Sequence, residues 1–138
     1  MDFGTAVSTC FSKYVDFEGR ARRSEYWFFT LFNIIAIFAL AAVGGVLGAV
    51  LGSRDMIFVF ALVPVGLYGL AIFLPGLAVT VRRFHDLGVS GWFLLLFFVL
   101  NLIPIVGFIA SIAQLIWFCQ PGTRGNNKFG PDPVGAPA

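Results

Sequence analysis

The sequence predicts an all-α integral membrane protein: an interfacial N-terminal helix, two full transmembrane helices, and a third apolar segment broken at Pro104. Three observations predict it. Of the 138 residues, 59% are hydrophobic and 12% charged, whereas a water-soluble domain carries about 25% charged residues to wet its surface. Two uncharged stretches, Tyr26–Leu51 and Met56–Val81, each exceed the ~20 residues needed to cross about 30 Å of hydrocarbon. The Lys and Arg residues gather in blocks beside these stretches and not within them.

The length suits one membrane domain, residues 1–133, followed by an irregular tail at 134–138. The net charge of +2 is too small to suggest a nucleic-acid partner. Cys10 and Cys119 form no CxxC pair and read as small apolar side chains, so no metal site, disulfide framework or cofactor is expected. The start, Met1-Asp2-Phe3-Gly4, lacks the basic n-region of a secretory signal, so the first apolar stretch should remain as an anchor.

From residue 3 to 15, Phe3, Val7, Cys10, Phe11 and Tyr14 recur three or four apart, with Thr5, Ser8, Ser12 and Lys13 opposite. That pattern predicts an amphipathic helix lying in the membrane interface, or one packed on the soluble side of the protein. The first span, 26–51, opens on Tyr26 and Trp27, where an aromatic belt belongs. Within it Gly44, Gly48 and Gly52 recur every four residues. Small residues at that spacing let two helices approach closely. The partner is either the second span or a second copy of the chain, which would make this face a homo-oligomer contact.

A polar turn, Gly52–Asp55, leads to the second span, 56–81, where Pro64 and Pro75 remove backbone donors and favour kinks. Next come Arg82–Gly91, where Gly88, Ser90 and Gly91 suit a tight turn and Ser90 is an alternative helix cap. In Trp92–Cys119, the run Asn101-Leu102-Ile103-Pro104-Ile105-Val106-Gly107 has hairpin chemistry. Arms of about 14 residues are short for full spans. The segment reads as a helical hairpin that dips in and returns, against one long kinked span.

Lys and Arg collect on the cytoplasmic side of short loops. Lys13, Arg20, Arg22 and Arg23 precede the first span, Arg54 alone follows it, and Arg82 and Arg83 follow the second. The N-terminus is therefore expected in the cytoplasm.

Three ordered motifs stand out: Gly19-Arg20-x-x-Arg23-x-Glu25-Tyr26-Trp27; Arg82-Arg83-Phe84-His85-Asp86 with Ser90-Gly91-Trp92; and Gly125-x-Asn127-Lys128-Phe129-Gly130-x-Asp132-Pro133. Over nearly the whole chain they resemble the bacterial inner-membrane family called domain of unknown function 805. Phe84, Phe93 and Lys128 depart from that pattern, where Leu, a second Trp and Arg are common. The resemblance implies a small multi-pass inner-membrane protein and implies no reaction.

On their own chemistry, Arg20 and Arg23 would share a helix face, and guanidinium groups bind phosphate in bidentate fashion. Anionic lipid headgroups are natural partners; the alternative is pairing with Asp16, Glu18 and Glu25. His85 beside Asp86 is either an acid–base pair or a hydrogen-bonded structural residue. Arg20, Arg23, Glu25, Arg82, Arg83, His85, Asp86, Asn127, Lys128 and Asp132 form the candidate set for a lipid- or anion-binding site or polar cluster. No catalytic residue is assigned. In the cluster, Arg23 or Arg83 should bridge to Glu25, Asp86 or Asp132, with His85 bonded into it.

The function expected is that of a structural or accessory protein with a cytoplasm-facing polar surface meeting anionic headgroups or a protein partner. One alternative is a small oligomeric transporter or channel with a hydrated cavity lined by Asn33, Asn101 or Gln114. Another is a headgroup-modifying enzyme using His85 and Asp86.

Overall fold

A computed structural model describes residues 1–135 and shows five helices: α1 (Phe3–Ser12), α2 (Arg23–Val50), α3 (Arg54–Asp86), α4 (Phe93–Leu100) and α5 (Pro104–Cys119). At 1.5 Å per residue, α2 and α3 are about 42 and 50 Å long, enough to cross hydrocarbon and extend past it. Only 17% of the most apolar window of α2, and none of that of α3, is buried. Phe38, Leu62, Leu67 and Leu70 are among the large side chains left exposed. A soluble core helix would hide such residues; these face lipid.

α2 and α3 run antiparallel, joined by the turn at Leu51–Ser53, where the Ser53 hydroxyl accepts the Met56 N–H and caps α3. Their contact is backbone against backbone. A methyl group added at Gly44 would lie 1.8 Å from the Phe60 carbonyl oxygen, and one at Gly48 would lie 2.4 Å from that of Met56. The Gly44/Gly48 face is thus taken up inside the chain. Gly52 sits apart from it, in the turn, at a left-handed φ of 92° that suits glycine.

α3 continues through both prolines, and the carbonyls they orphan are accounted for. Pro64 lacks the N–H that would bond Phe60, and the Phe60 oxygen instead lies against the bare Cα of Gly44. Pro75 frees the carbonyl of Ala71, which accepts the phenol of Tyr14. Within lipid such a carbonyl has no water to turn to. Tyr14→Phe should lower the thermal stability of the detergent-solubilised protein by about 1 kcal/mol; an unchanged unfolding midpoint would remove this role for Tyr14.

α1 is shorter than expected, ending at Ser12, because the chain leaves helical geometry at Lys13. It lies across the first turns of α2, with Phe3 against Phe28 (centroids 5.8 Å apart) and Phe11 against Phe29 (5.5 Å). Its own Ala6 and Cys10 are fully buried.

The third apolar segment is a hairpin, but an unequal one, of 8 and 16 residues. Neither arm spans 30 Å. Asn101 ends α4 and Pro104 begins α5, a first-turn position where proline's missing N–H costs nothing. The N–H groups of Asn101, Leu102 and Ile103 bond back to α4, and the Asn101 amide oxygen accepts the Ser111 hydroxyl of α5 (2.9 Å). The exposed tip, Leu102, Ile103 and Ile105, is apolar. An apolar tip suits hydrocarbon, and within the hairpin the N–H groups of Asn101, Leu102, Ile103 and Gly107 all find backbone acceptors. The hairpin returns the chain to its starting end, and the tail after Cys119 lies against the end of α3: Thr123 N–H donates to the Asp86 carbonyl (2.8 Å). Residues 134 and 135 are non-helical, and the rest of the expected irregular tail lies outside the described residues.

Candidate functional site

Arg82–Asp86 is the last turn of α3 and not a loop, so five successive side chains leave the helix in five directions. Between them they reach α2, α4, α5, the segment before α2 and the tail. Arg82, fully buried, pairs with Glu25 of α2. Arg83, also fully buried, pairs with Asp86 and donates to the Phe118 carbonyl at the end of α5 (2.9 Å). A cation there complements the partial negative charge of the helix C-terminus. Phe84 meets Phe97 of α4 (5.9 Å) and Phe118 of α5 (4.8 Å). His85 donates from Nδ1 to the Gly19 carbonyl (3.0 Å) and stacks on Phe129 (4.0 Å, 4°). Asp86 receives Arg83 on one oxygen and Arg20 on the other, the latter at 2.9 Å.

Asp86 is the centre of this network. Arg20, 5% exposed, also donates to the carbonyls of Gly125 (2.6 Å) and Thr123, and so ties the first polar block to the tail. Gly122 lies so close that an added methyl would stand 2.1 Å from the Asp86 carboxylate. The tail also completes the end of α3, where the Asn127 amide donates to the His85 carbonyl (2.9 Å). The network is not free of cost, since Arg82 Nε, Arg82 Nη2 and Arg83 Nε find no acceptor.

The three sequence motifs therefore meet at one end of the bundle, and Arg83 bridges to Asp86. Other expected contacts take different forms. Arg20 and Arg23 do not share a helix face, because α2 begins only at Arg23. Arg23 reaches no carboxylate and donates to the Cys119 carbonyl (2.9 Å). Asp132 pairs with no arginine. It accepts the N–H groups of Val134 (3.0 Å) and Gly125 (2.9 Å), which hold its carboxyl below the usual carboxylate range. Lys128 sits over the Phe129 ring, 4.9 Å from its centroid.

His85 and Asp86 do not form a pair, since their side chains go to separate partners. His85 borders a groove of about 690 Å³ between α3 and α4, lined by Phe73, Leu77, Leu95 and Phe98. That lining suits hydrocarbon and not phosphate. Asn33 is held by Tyr68 (2.7 Å) and the Phe29 carbonyl, and Asn101 by Ser111, so both act as ties within the bundle. Cys10 lies 3.8 Å from Glu25, and burial, then that carboxylate, push its thiol up to about 12. It stays a thiol. Among the described residues there is no group of three metal-ligating side chains.

With Arg20, Arg82 and Arg83 turned inward, the cations left partly or fully exposed around the network include Arg22, Arg23, Arg124 and Lys128. Arg22 and Arg124 were not among the sequence candidates. The spacing signal pointed to Arg20 and Arg23, and nothing in the sequence says which arginines of a dense block face inward.

Among known proteins, the family described as "Protein of unknown function (DUF805)" matches residues 14–131. The inner membrane proteins YhaH and YhaI of Escherichia coli (strain K12) are 44% and 43% identical over 120 residues. The match covers 87% of this chain in both cases, and 88% and 87% of those proteins. No solved structure matches. The chain belongs to the DUF805 family and is a bacterial inner-membrane protein with several apolar helices.

Proposed function

We propose that the chain is a structural or accessory protein of the inner membrane, with its N-terminus, tail and polar network in the cytoplasm and the Ser53–Asp55 turn outside. The observation that carries the structural part is Asp86. It is buried between two arginines that in turn grip the backbone of α5 and the tail. Arg20, Arg23, Arg82 and Arg83 each brace a neighbouring segment, so the motifs act together as a clamp that presents one shaped polar surface. Charge supports the orientation. Eight of the nine Lys and Arg lie at the clamp end of the helices, and Arg54 alone lies at the other.

Cysteines introduced one at a time in a Cys119→Ser background, where the remaining Cys10 is buried, test the orientation. Cysteine at Ser53 should react with a membrane-impermeant maleimide added to spheroplasts. Cysteine at Ser90 should react only after the membrane is opened. The reverse pattern would put the clamp outside and end the proposal as stated. A reporter fused after Ala138 should likewise be active only in a form that works in the cytoplasm.

A further inference from the structure

We infer that the clamp end holds a binding site for the phosphate of an anionic phospholipid, built from Arg22, Arg23 and Arg124 at the N-terminus of α2. These residues line a cleft of about 410 Å³ between the start of α2 and the tail. Three features of the cleft select an anion. The first is charge. The cleft also touches Asp86 and Asp132, but Asp86 is already matched by Arg20 and Arg83. With Arg20, Arg22, Arg23, Arg83 and Arg124 against two carboxylates, the net charge is +3. The second is the helix end. α2 has 28 residues, and its N-cap, Arg22, supplies no side-chain cap, so its first N–H groups stay available. The third is Ser24, whose hydroxyl oxygen is buried against the same cleft without a hydrogen-bond partner.

The shape of the site selects a lipid over a free phosphate compound. A second cavity, of about 330 Å³, shares Arg23 and Ser24 with the first and continues to Trp27 and Cys119. Trp27 lies in the second turn of α2 and Cys119 is the last residue of α5, so both stand where the apolar parts of these helices meet the clamp end. A ligand with its phosphate at the arginines thus has an open path for its glycerol and acyl chains down to the bilayer. The three arginines serve different purposes. Arg23 is anchored by the Cys119 carbonyl and fixes the middle of the site. Arg22 and Arg124 come from opposite walls and close on the phosphate in forked geometry.

This inference rests on the reading of the clamp end as a headgroup-level surface, but it can fail while the orientation stands, because it is tested on purified protein. Detergent-solubilised protein is titrated with phosphatidylglycerol, with phosphatidylcholine, and with inorganic phosphate, and bound lipid is counted by native mass spectrometry. Phosphatidylglycerol should bind in preference to phosphatidylcholine. The double variant R22Q/R124Q should bind it roughly 30-fold more weakly while keeping the wild-type circular dichroism and elution volume. R54Q, at the opposite end, should bind it as wild type does. Equal retention of the two lipids, or a double variant that binds like the wild type, would overturn the site. Saturation by inorganic phosphate without retention of phosphatidylglycerol would overturn the lipid as its occupant.

Discussion

Replacing Asp86 with alanine should cost about 3–5 kcal/mol of stability in detergent, whereas Arg54→Ala should stay within about 0.5 kcal/mol. The contrast follows from what each change leaves behind. Asp86 is 2% exposed, and its removal strands two guanidinium groups in a space closed to water, Arg83 fully buried and Arg20 nearly so. Their attachments to the ends of α5 and the tail then lose the charge that holds both arginines in place. Arg54 is exposed at the far end of the bundle, with no ion pair to lose. Arg83→Ala should approach the Asp86 value, since it uncaps α5 and leaves Asp86 with Arg20 alone. The measurement is the fraction of monodisperse protein surviving a temperature ramp. Coincident curves for the Asp86 and Arg54 variants would mean that the clamp does not support the fold.

Much of this architecture can be read from the residues. The two long spans follow from the two uncharged stretches, because lipid demands length and lack of charge together. The hairpin was written in Asn101, Pro104 and Gly107, where a helix stop, a helix start and a close backbone approach fall within seven residues. Its unequal arms were not. Asn101 ends α4 early, and only the packing of Phe84 against Phe97 and Phe118 says how far the returning arm must climb. The meeting of the three motifs could be argued from charges that need partners at a low-dielectric boundary. The partners themselves could not. Arg20 and Arg23 look alike in sequence, yet Arg20 precedes α2 and turns inward to Asp86, while Arg23 starts the helix and points out. The partner of Tyr14 was also hidden, since its hydroxyl meets a carbonyl that is free only because of a proline four residues further along another helix.

Gly44→Ala and Gly45→Ala, one residue apart on the same helix, should shift stability in opposite directions. The added methyl at Gly44 would fall 1.8 Å from the Phe60 carbonyl oxygen and 2.9 Å from the Ala61 Cα. Those atoms belong to the backbone of α3 and cannot turn aside as a side chain would, so the two helices must separate. A cost of about 3 kcal/mol, the upper end of ordinary overpacking, is expected. Separation also withdraws the Gly44 Cα from the carbonyl that Pro64 orphans, leaving a polar group bare in lipid. At Gly45 the nearest atom to the new methyl is Ile57 Cγ2 at 4.0 Å, an ordinary contact. There the substitution only removes glycine's disadvantage in a helix, for a gain of up to about 1 kcal/mol. Gly48→Ala should behave as Gly44→Ala does, because its methyl would meet Met56 and Ile57 backbone atoms at 2.4–2.6 Å. The same samples, run by size exclusion coupled to light scattering, separate this packing from its rival. If the glycine face joined two copies of the chain, Gly44→Ala would shift the protein toward monomer with little change in the unfolding of each chain. If the face is filled by α3, the variant loses thermal stability at unchanged molecular mass.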